Sequence, residues 1–331
     1  MLLNYLRTTR PDLELEKYFN FSAGDFPLQS DPHSPPQLDH SNWGGFTLDA
    51  TQLVLDEVKI KMKDKSVTFS TTSNLEKSII TALANPKNQK TGIFFNYNID
   101  GVEYSHTSLF YLEKNQSNCN AVFLDTVDVD LYKFFWGEIV ASGILKNCKV
   151  HFASAPRQMD AYSCASYCIH DFLNIQKMEG DLFASLNEFQ KAGLGGGKIR
   201  INDTVCIPHE ILPPSFMTLA QASKAVLKPY INDLKPYLET MPLAKRDHRK
   251  LENSLKNHKK TYSGEHLSDE EWDSLAESFP TLAELYYNQT REINTKPKNT
   301  YTKYTSLVLK KLLNDQGPPA PASAPAPLHT R

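Results

Sequence analysis

The sequence lacks strong net charge and long apolar runs. Lys and Arg total 36 against 38 Asp and Glu, which leaves a net charge of −2, so composition alone does not require a nucleic acid or a membrane as partner. No apolar run reaches transmembrane length, and the text after the first six residues is too polar for a signal peptide. These absences predict a soluble globular protein, and 331 residues suffice for one large domain or two smaller ones.

Cysteine is also scarce. The sequence has five cysteines and no pair in C-x-x-C spacing. An odd number without paired spacing argues against a disulfide scaffold and against a zinc ribbon, so we expect no metal site and a reducing working compartment. The cysteines are Cys119, Cys148, Cys164, Cys168 and Cys206.

Composition and hydrophobic periodicity divide the chain into four segments. Residues 1–45, which combine a short helical start with Pro- and Ser-rich text, predict a loose arm. Residues 46–225 predict an α+β core. Residues 226–314 have helical periodicity and form a candidate regulatory lobe, and the Pro- and Ala-rich residues 315–331 predict a disordered tail.

The core alternates between helix and strand patterns. Helix-period apolar residues predict helices at 48–61, with Thr47 or Asp49 as N-cap, and at 74–84. Three strands, a helix capped by Asp130 and a fourth strand then precede a loop and another helix. This order predicts an α+β fold with a small mixed sheet and flanking helices. The strands are expected at 92–97, 102–112, 121–125 and 149–153, and the helix at 130–145.

The C-terminal part predicts additional helices. The glycine-rich residues 193–197 predict a flexible turn, because their spacing is not that of a phosphate-binding P-loop. The helices are expected at 224–238, 243–258, 268–289 and 301–313.

The stretch from Gln158 to Cys168 carries the strongest chemical signal. A loop ends at Arg157 and an apolar-periodic segment begins at Tyr167, which places Cys164 at or next to a helix N-terminus. Unpaired N–H groups and the helix dipole favour a thiolate there. Gln158, six residues before Cys164, can fold back beside the sulfur as an oxyanion donor. The competing interpretation is a small buried residue that opens a core helix, since free cysteine is among the most buried residue types.

Two residues on strands can complete a set of nucleophile, base and acid. His106 lies mid-strand, on the face that period-two alternation also gives to Ser108, and Asp125 ends the next strand, where its carboxylate can reach a neighbouring histidine. His106 alone would be interpreted as structural, but the joint arrangement favours a catalytic site. Asp128 is a weaker alternative acid. Cys168, one turn after the candidate nucleophile, is interpreted as a buried core cysteine rather than a resolving thiol.

These residues resemble the site of a clan of cysteine enzymes, unlike papain in their His, acid, Gln, Cys order. The clan includes the ubiquitin-like-protein proteases and the YopJ-type acetyltransferases of bacterial effectors, and the YopJ type is the more similar. Its nineteen-residue interval from His to acid matches His106 and Asp125, and its six-residue interval from Gln to Cys matches Gln158 and Cys164. Residues 212–221, LPPSFMTLAQ, are similar to the family's Leu-Pro-x-x-Phe-x-Lys-His-x-Gln segment.

The resemblance, which covers roughly residues 90 to 225, implies an activity. Such an enzyme would move an acetyl group from acetyl-CoA through Cys164 to a Ser, Thr or Lys of a host protein. It would be activated by inositol hexakisphosphate and be delivered into the host cytoplasm by a bacterial secretion system. Three departures stand out: the family's Lys-His, linked to self-acetylation, is Thr218-Leu219, the Gly after the cysteine is Ala165, and the acid is Asp125 where many members have Glu.

A basic run in the C-terminal part is a candidate polyanion site. Lys245, Arg246, Arg249 and Lys250 cluster there, and in the family the polyphosphate binds a basic surface built partly by C-terminal helices. The alternative is a solvated helix face. No aromatic side chains interleave with these charges, so we expect no nucleic-acid partner.

Two other functions remain open from the sequence. The same triad could hydrolyse ubiquitin or a ubiquitin-like modifier as a cysteine protease. The changes at Ala165, Thr218 and Leu219 also leave room for a catalytically silent binding module on the same fold.

Overall fold

We describe the chain from a computed structural model. It describes residues 7, 10–20, 45–61, 67–87, 89–99, 102–115, 118–126, 133–154, 157–158, 163–178, 182–191, 198–200, 206–210, 212–220, 227–237, 249, 251–252 and 296–316.

The described residues contain a seven-stranded mixed sheet in the order β3-β4-β5-β6-β7-β9-β8. Strand β5 is antiparallel to both of its neighbours, β4 and β6, whereas β6, β7 and β9 run parallel to one another. A separate two-stranded ladder joins β1 to β2. The strands are β1 Phe19–Asn20, β2 Gly45–Phe46, β3 Thr68–Thr72, β4 Gln89–Ile99, β5 Val102–Lys114, β6 Cys119–Asp125, β7 Lys149–Ser154, β8 Lys198–Arg200 and β9 Cys206–Glu210.

Helices cover both faces of the sheet in the described part of the chain. Their bounds are α1 Leu48–Lys61, α2 Leu75–Ala84, α3 Lys133–Ala141, α4 Cys164–Lys177, α5 Leu182–Lys191, α6 Pro214–Met217, α7 Lys228–Leu234 and α8 Lys296–Gln316, with 3-10 turns at Pro11–Leu13, Leu15–Lys17 and Lys235–Tyr237.

Alternating residues of the central strands enter two separate apolar layers, as expected from period-two side chains. Phe94 and Leu109 pack in one layer with helices α1, α4, α5 and α8. Phe95 and Phe110 pack in the other with α2 and α3. Trp136 of α3 is fully buried in this second layer. Because helices cover both faces of the sheet, the central strands have nearly continuous apolar sequences.

The predicted core elements are confirmed by the structure. Helix α1 has the predicted bounds, and Thr47 caps it by accepting the N–H of Ala50 at 3.3 Å. Helix α2 begins after Asn74, whose side chain accepts the N–H of Lys77 at 2.9 Å. Helix α3 lies inside the predicted range 130–145, while its predicted cap, Asp130, falls outside the described residues. Strands β3, β8 and β9 were not predicted, because each has at most five residues and carries polar side chains.

The prediction of a loose N-terminal arm is wrong for residues 11–20. Leu13, Leu15 and Phe19 are each 1% exposed and belong to the main apolar layer. Phe19 pairs with Phe46 across the β1–β2 ladder, with ring centroids 5.8 Å apart. These isolated apolar residues have no helix or strand period, so sequence alone did not reveal their burial. Residues 21–44 lie outside the described ranges.

The structure also pairs two cysteines, which the sequence analysis did not predict. Cys119 and Cys148 form a disulfide across the beginnings of the parallel neighbours β6 and β7, with Cα atoms 4.4 Å apart. Their separation of 29 residues matches no spacing pattern, and only the strand register brings them together. The expected reducing compartment therefore finds no support in these two residues. Cys164 and Cys168 are both free and buried.

The C-terminal helices are described in part. Helix α7 lies inside the predicted 224–238, and α8 extends the predicted 301–313 at both ends, two residues into the predicted tail. Helix α8 packs on α1 and α4, and Tyr301 stacks on Phe46 with ring centroids 5.0 Å apart. The division into a core and a regulatory lobe stays a prediction. Most of 243–258, and all of 193–197 and 268–289, lie outside the described residues.

No described helix has the length and apolarity needed to span a bilayer.

Candidate active site

The four residues predicted for the site come from four different elements. His106 lies on β5, Asp125 is the last residue of β6, Gln158 lies in the loop after β7, and Cys164 is the first residue of α4. All four side chains are buried, and Gln158 is the most exposed at 8%. The predicted helix start at Cys164 is confirmed.

His106 and Asp125 are directly bonded. The Nε2 atom of His106 lies 2.8 Å from Oδ1 of Asp125. The backbone N–H of Thr126 donates to the same oxygen at 2.6 Å. The second oxygen, Oδ2, accepts the Tyr97 hydroxyl at 2.6 Å and the Ser108 hydroxyl at 2.5 Å. Both carboxylate oxygens are therefore held by donors, which fixes the plane of the acid.

This bonding favours charge on both partners. Burial by itself would lower the pKa of His106, but the Asp125 carboxylate, with a smaller contribution from Cys164, raises that pKa to about 10. Burial would likewise raise the pKa of Asp125, yet His106 first, and then the Ser108 and Tyr97 hydroxyls, lower it below its ordinary value. An imidazolium–carboxylate pair is therefore the favoured state of the two residues.

The sulfur of Cys164 lies against the strand that carries the histidine. Its Sγ accepts the backbone N–H of Thr107 at 3.4 Å, and the neighbouring Cys164 contributes, after Asp125, to the raised pKa of the His106 imidazole. The sulfur is thus placed at a helix start, against the strand of His106, and accepts one backbone N–H.

The second free cysteine behaves differently. Cys168, one turn along α4, directs its Sγ to the carbonyl oxygen of Thr107 at 3.2 Å, as a thiol donor would. Burial, followed by the Asp171 carboxylate, raises the pKa of Cys168 well above its ordinary value. Thr107 therefore gives its N–H to one sulfur and its carbonyl to the other, and Cys168 stays a protonated core residue.

Gln158 is held by the residue that follows the acid. Its Oε1 accepts the Thr126 hydroxyl at 2.8 Å, and its backbone N–H donates to the Thr126 carbonyl at 3.2 Å. Because the amide oxygen faces Thr126, the amide nitrogen faces away from it and can act as a donor.

A buried arginine, missed in the sequence, connects these elements. Arg157 is fully buried and makes a bidentate salt bridge to Asp171 of α4, with distances of 2.9 and 2.6 Å. It also donates to the carbonyl of Asp125 at 3.2 Å and to that of Phe216 at 3.0 Å. One side chain therefore joins Asp125, the loop of Gln158 and helix α4. Its guanidinium also lies 5.5 Å from the ring centroid of Tyr167.

The segment that carried the family resemblance packs on this arginine. Phe216 is fully buried, and the carbonyl of Leu219 lies 2.8 Å from the Tyr167 hydroxyl. Thr218, where the family has Lys, is 8% exposed and donates its hydroxyl to the carbonyl of Ser215 at 2.9 Å. The segment therefore contacts Arg157 in the loop before Gln158 and Tyr167 on helix α4.

The predicted polyanion residues are almost entirely undescribed. Lys245, Arg246 and Lys250, like the alternative acid Asp128, lie outside the described ranges, and Arg249 is exposed. The structure instead presents a groove of about 420 Å³ where α8 faces α1. The groove is lined by Glu57, Lys303, Ser306, Leu307, Lys310, Lys311 and Asn314.

The described residues hold no cluster of His, Cys, Asp and Glu that could bind a metal ion. The site brings together a thiol at a helix start, an imidazole bonded to a carboxylate and a side-chain amide, which are the groups that covalent acyl transfer can use.

Comparison with known proteins gives a family match and several similar folds. Residues 54–279, more than half of the chain, match the family model described as YopJ Serine/Threonine acetyltransferase. The similar solved structures include AvrA delL154 with IP6 and CoA, at 11% identity over 79% of this chain and 87% of that chain, with a TM-score of 0.48. HopZ1a in complex with IP6 and CoA has 11% identity over 80% of this chain and 85% of that chain, with a TM-score of 0.49. No curated protein sequence matches this chain.

Proposed function

The chain belongs to the YopJ family of serine/threonine acetyltransferases, and from that membership we propose that it moves an acetyl group from acetyl-CoA through Cys164 to a Ser, Thr or Lys side chain of a host protein. The observation that carries this proposal is the placement of Cys164 Sγ at the start of α4, beside His106, which is bonded to Asp125 at 2.8 Å. Family membership supports an acyltransferase.

In the first step the thiol proton of Cys164 resides on His106, and the resulting thiolate attacks the thioester carbonyl carbon of acetyl-CoA. The new S–C bond gives a tetrahedral oxyanion, which collapses as the bond to the CoA sulfur breaks, and the departing thiolate takes the proton from His106. Since Nε2 of His106 is engaged by Asp125, Nδ1 is the ring nitrogen that exchanges protons with the reacting groups. Asp125 keeps the imidazole oriented and stabilises its charged form.

In the second step the acetyl group leaves the enzyme. A hydroxyl or amine of the host protein attacks the acetyl carbon while His106 accepts its proton, and the Cys164 thiolate departs. The tetrahedral oxyanion of either step would be stabilised by the Gln158 amide nitrogen and by backbone N–H groups at the start of α4.

We further propose inositol hexakisphosphate as the activator, as the family resemblance implies. The α8 groove fits such a polyanion because three of its side chains, Lys303, Lys310 and Lys311, are lysines exposed on one helix face, although Glu57 reduces the positive charge. Helix α8 packs on α4, so a ligand there would act on the helix that carries Cys164. The basic run 245–250 is the alternative site.

The host setting is also part of the proposal. A family of effectors implies delivery into a host cell by a bacterial secretion system and a host signalling or defence protein as substrate.

Release of free CoA, followed by chromatography, tests the reaction. The variant Cys164→Ala should release no CoA above the rate without enzyme. The matched control Cys168→Ala removes the neighbouring buried thiol and should keep most of the activity. Equal activity of Cys164→Ala and the unmodified chain would overturn the proposal.

A further inference from the structure

We propose that Tyr97 and Ser108 are positioning residues, which set the geometry of the His106–Asp125 pair through their hydroxyls and the Tyr97 ring. This inference rests on the proposed function of that pair. Neither residue was identified as functional from the sequence, and neither is assigned a role by the family match.

The two hydroxyls bind the carboxylate oxygen that does not face His106. Tyr97 donates to Oδ2 of Asp125 at 2.6 Å and Ser108 donates to the same oxygen at 2.5 Å, while Oδ1 faces His106. The side chains of Tyr97, Ser108 and Asp125 are all at most 2% exposed. A carboxylate with hydrogen bonds on both oxygens cannot easily rotate away from the imidazole. The hydroxyls also stabilise its negative charge, in agreement with the lowered pKa of Asp125.

The ring of Tyr97 acts on the base itself. It stacks on the imidazole of His106 with centroids 5.7 Å apart and planes inclined by 11°. One tyrosine therefore contacts both members of the pair, the histidine through its ring and the acid through its hydroxyl.

An irregularity in the sheet makes this arrangement possible. Asn96 pairs with Thr107 and Asn98 with Glu103, so the register between β4 and β5 shifts at Tyr97. One residue on β4 faces three on β5 there, and His106 is among the three. Bulges of this kind redirect side chains and recur beside active sites.

The competing explanation is that Tyr97 is only a core aromatic. Its ring does pack on Phe95, Phe135 and Trp136. Removal of the hydroxyl distinguishes the two explanations, because Tyr97→Phe keeps the packed ring and loses only the oxygen. The matched control is Tyr111→Phe. Tyr111 is also fully buried, and its hydroxyl bonds to Glu113 at 3.0 Å, away from the site.

The test uses the full chain and two readouts that do not require acetyl transfer. The first is the rate at which iodoacetamide alkylates Cys164 at neutral pH, located by peptide mapping. The second is the NMR resonance of the His106 Nε2–H proton. Loss of one hydrogen bond to the charged acid should slow alkylation by about tenfold in Tyr97→Phe or Ser108→Ala. The double variant should be slower than either single variant, without a simple product of the two effects because the hydroxyls lie 3.0 Å from each other, and the His106 resonance should shift in all three.

Tyr111→Phe should leave both readouts unchanged. The proposal is overturned if Tyr97→Phe and Ser108→Ala match the unmodified chain in alkylation and in the His106 resonance. Should Tyr97→Phe prove unfolded, Ser108→Ala decides alone, because a serine hydroxyl contributes little to packing. A chain that fails to transfer acetyl groups but shows these shifts would reject the acetyltransferase proposal and keep the positioning role.

Discussion

His106 and Asp125 contact each other across neighbouring antiparallel strands, with Nε2 and Oδ1 2.8 Å apart and both side chains almost fully buried. A buried charged pair of this kind makes stability depend on pH in a predictable direction. Because the pKa of His106 is raised from 6.5 to about 10, its contribution is complete below about pH 6.5 and is lost as the pH rises towards 10. The lowered pKa of Asp125 also contributes to stability. This contribution is present above the ordinary pKa of 3.8 and is lost as the pH falls below it.

The variant Asp125→Asn should reverse the pH dependence that comes from His106. Without the carboxylate, burial lowers the pKa of the imidazole, so the free energy of unfolding should rise, rather than fall, as the pH increases through 6.5. Chemical denaturation at several pH values measures this. The double variant His106→Gln/Asp125→Asn lacks both titrating groups and supplies the baseline for all others. Parallel curves for the unmodified chain and Asp125→Asn would contradict the prediction.

Removing Arg157 should destabilise the fold strongly. Arg157→Met leaves the Asp171 carboxylate buried without its salt bridge, and such a change costs about 3–5 kcal/mol. The double variant Arg157→Met/Asp171→Leu should recover part of this loss, because no uncompensated charge remains. Denaturant unfolding of the four members of this cycle gives the coupling energy. Strictly additive losses would show that the pair is not coupled.

A methyl group on Gly92 should push against the helix that carries the nucleophile. A Cβ atom there would lie 2.6 Å from Cε2 of Phe172 on α4, and this ring also packs against Phe94. Overpacking of this kind costs about 1–3 kcal/mol. Gly92→Ala should therefore lower the unfolding free energy and slow the chemistry of Cys164, and the smaller side chain in Gly92→Ala/Phe172→Leu should restore part of both. If the second substitution adds to the damage, the clash is not the cause.

Charge reversal in the α8 groove should weaken polyphosphate binding. We expect Lys310→Glu/Lys311→Glu to raise the Kd of inositol hexakisphosphate, measured by calorimetry at 0.15 M salt, by about tenfold or more. Lys191→Glu, on an exposed lysine at the end of α5, should change nothing. Weakening seen only with Arg249→Glu/Lys250→Glu would place the site in the basic run instead.

Sequence patterns predicted the site residues that occupy the ends or faces of regular elements. The helix start at Cys164 and the strands of His106 and Asp125 follow from periodicity. The three residues were then grouped because a cysteine nucleophile needs a base and an acid. Tyr97 and Arg157 could not be found this way, because some of their partners are far away in the sequence and their contacts depend on a register shift and a loop. Ser108 was placed on the face of His106 by alternation, but nothing in the pattern indicated that its hydroxyl reaches Asp125.

The helices and strands of the fold were predictable to about the same extent as the site residues. Long amphipathic segments such as α1 gave reliable bounds, since many residues contribute to the period. Strand β9 was missed because five residues carry too little pattern. Burial of Leu13 and Leu15, and pairing of Cys119 with Cys148, are decided by tertiary contacts that no local pattern records.

Intact-protein mass spectrometry of the purified chain mixed with acetyl-CoA tests the central claim most directly. Samples with and without inositol hexakisphosphate would be compared with Cys164→Ala and Cys168→Ala. We predict a mass gain of one acetyl group that peptide mapping assigns to Cys164, that increases with the polyphosphate, and that persists in Cys168→Ala. A gain that survives in Cys164→Ala, or no gain in any sample, would contradict a covalent acetyl-cysteine mechanism.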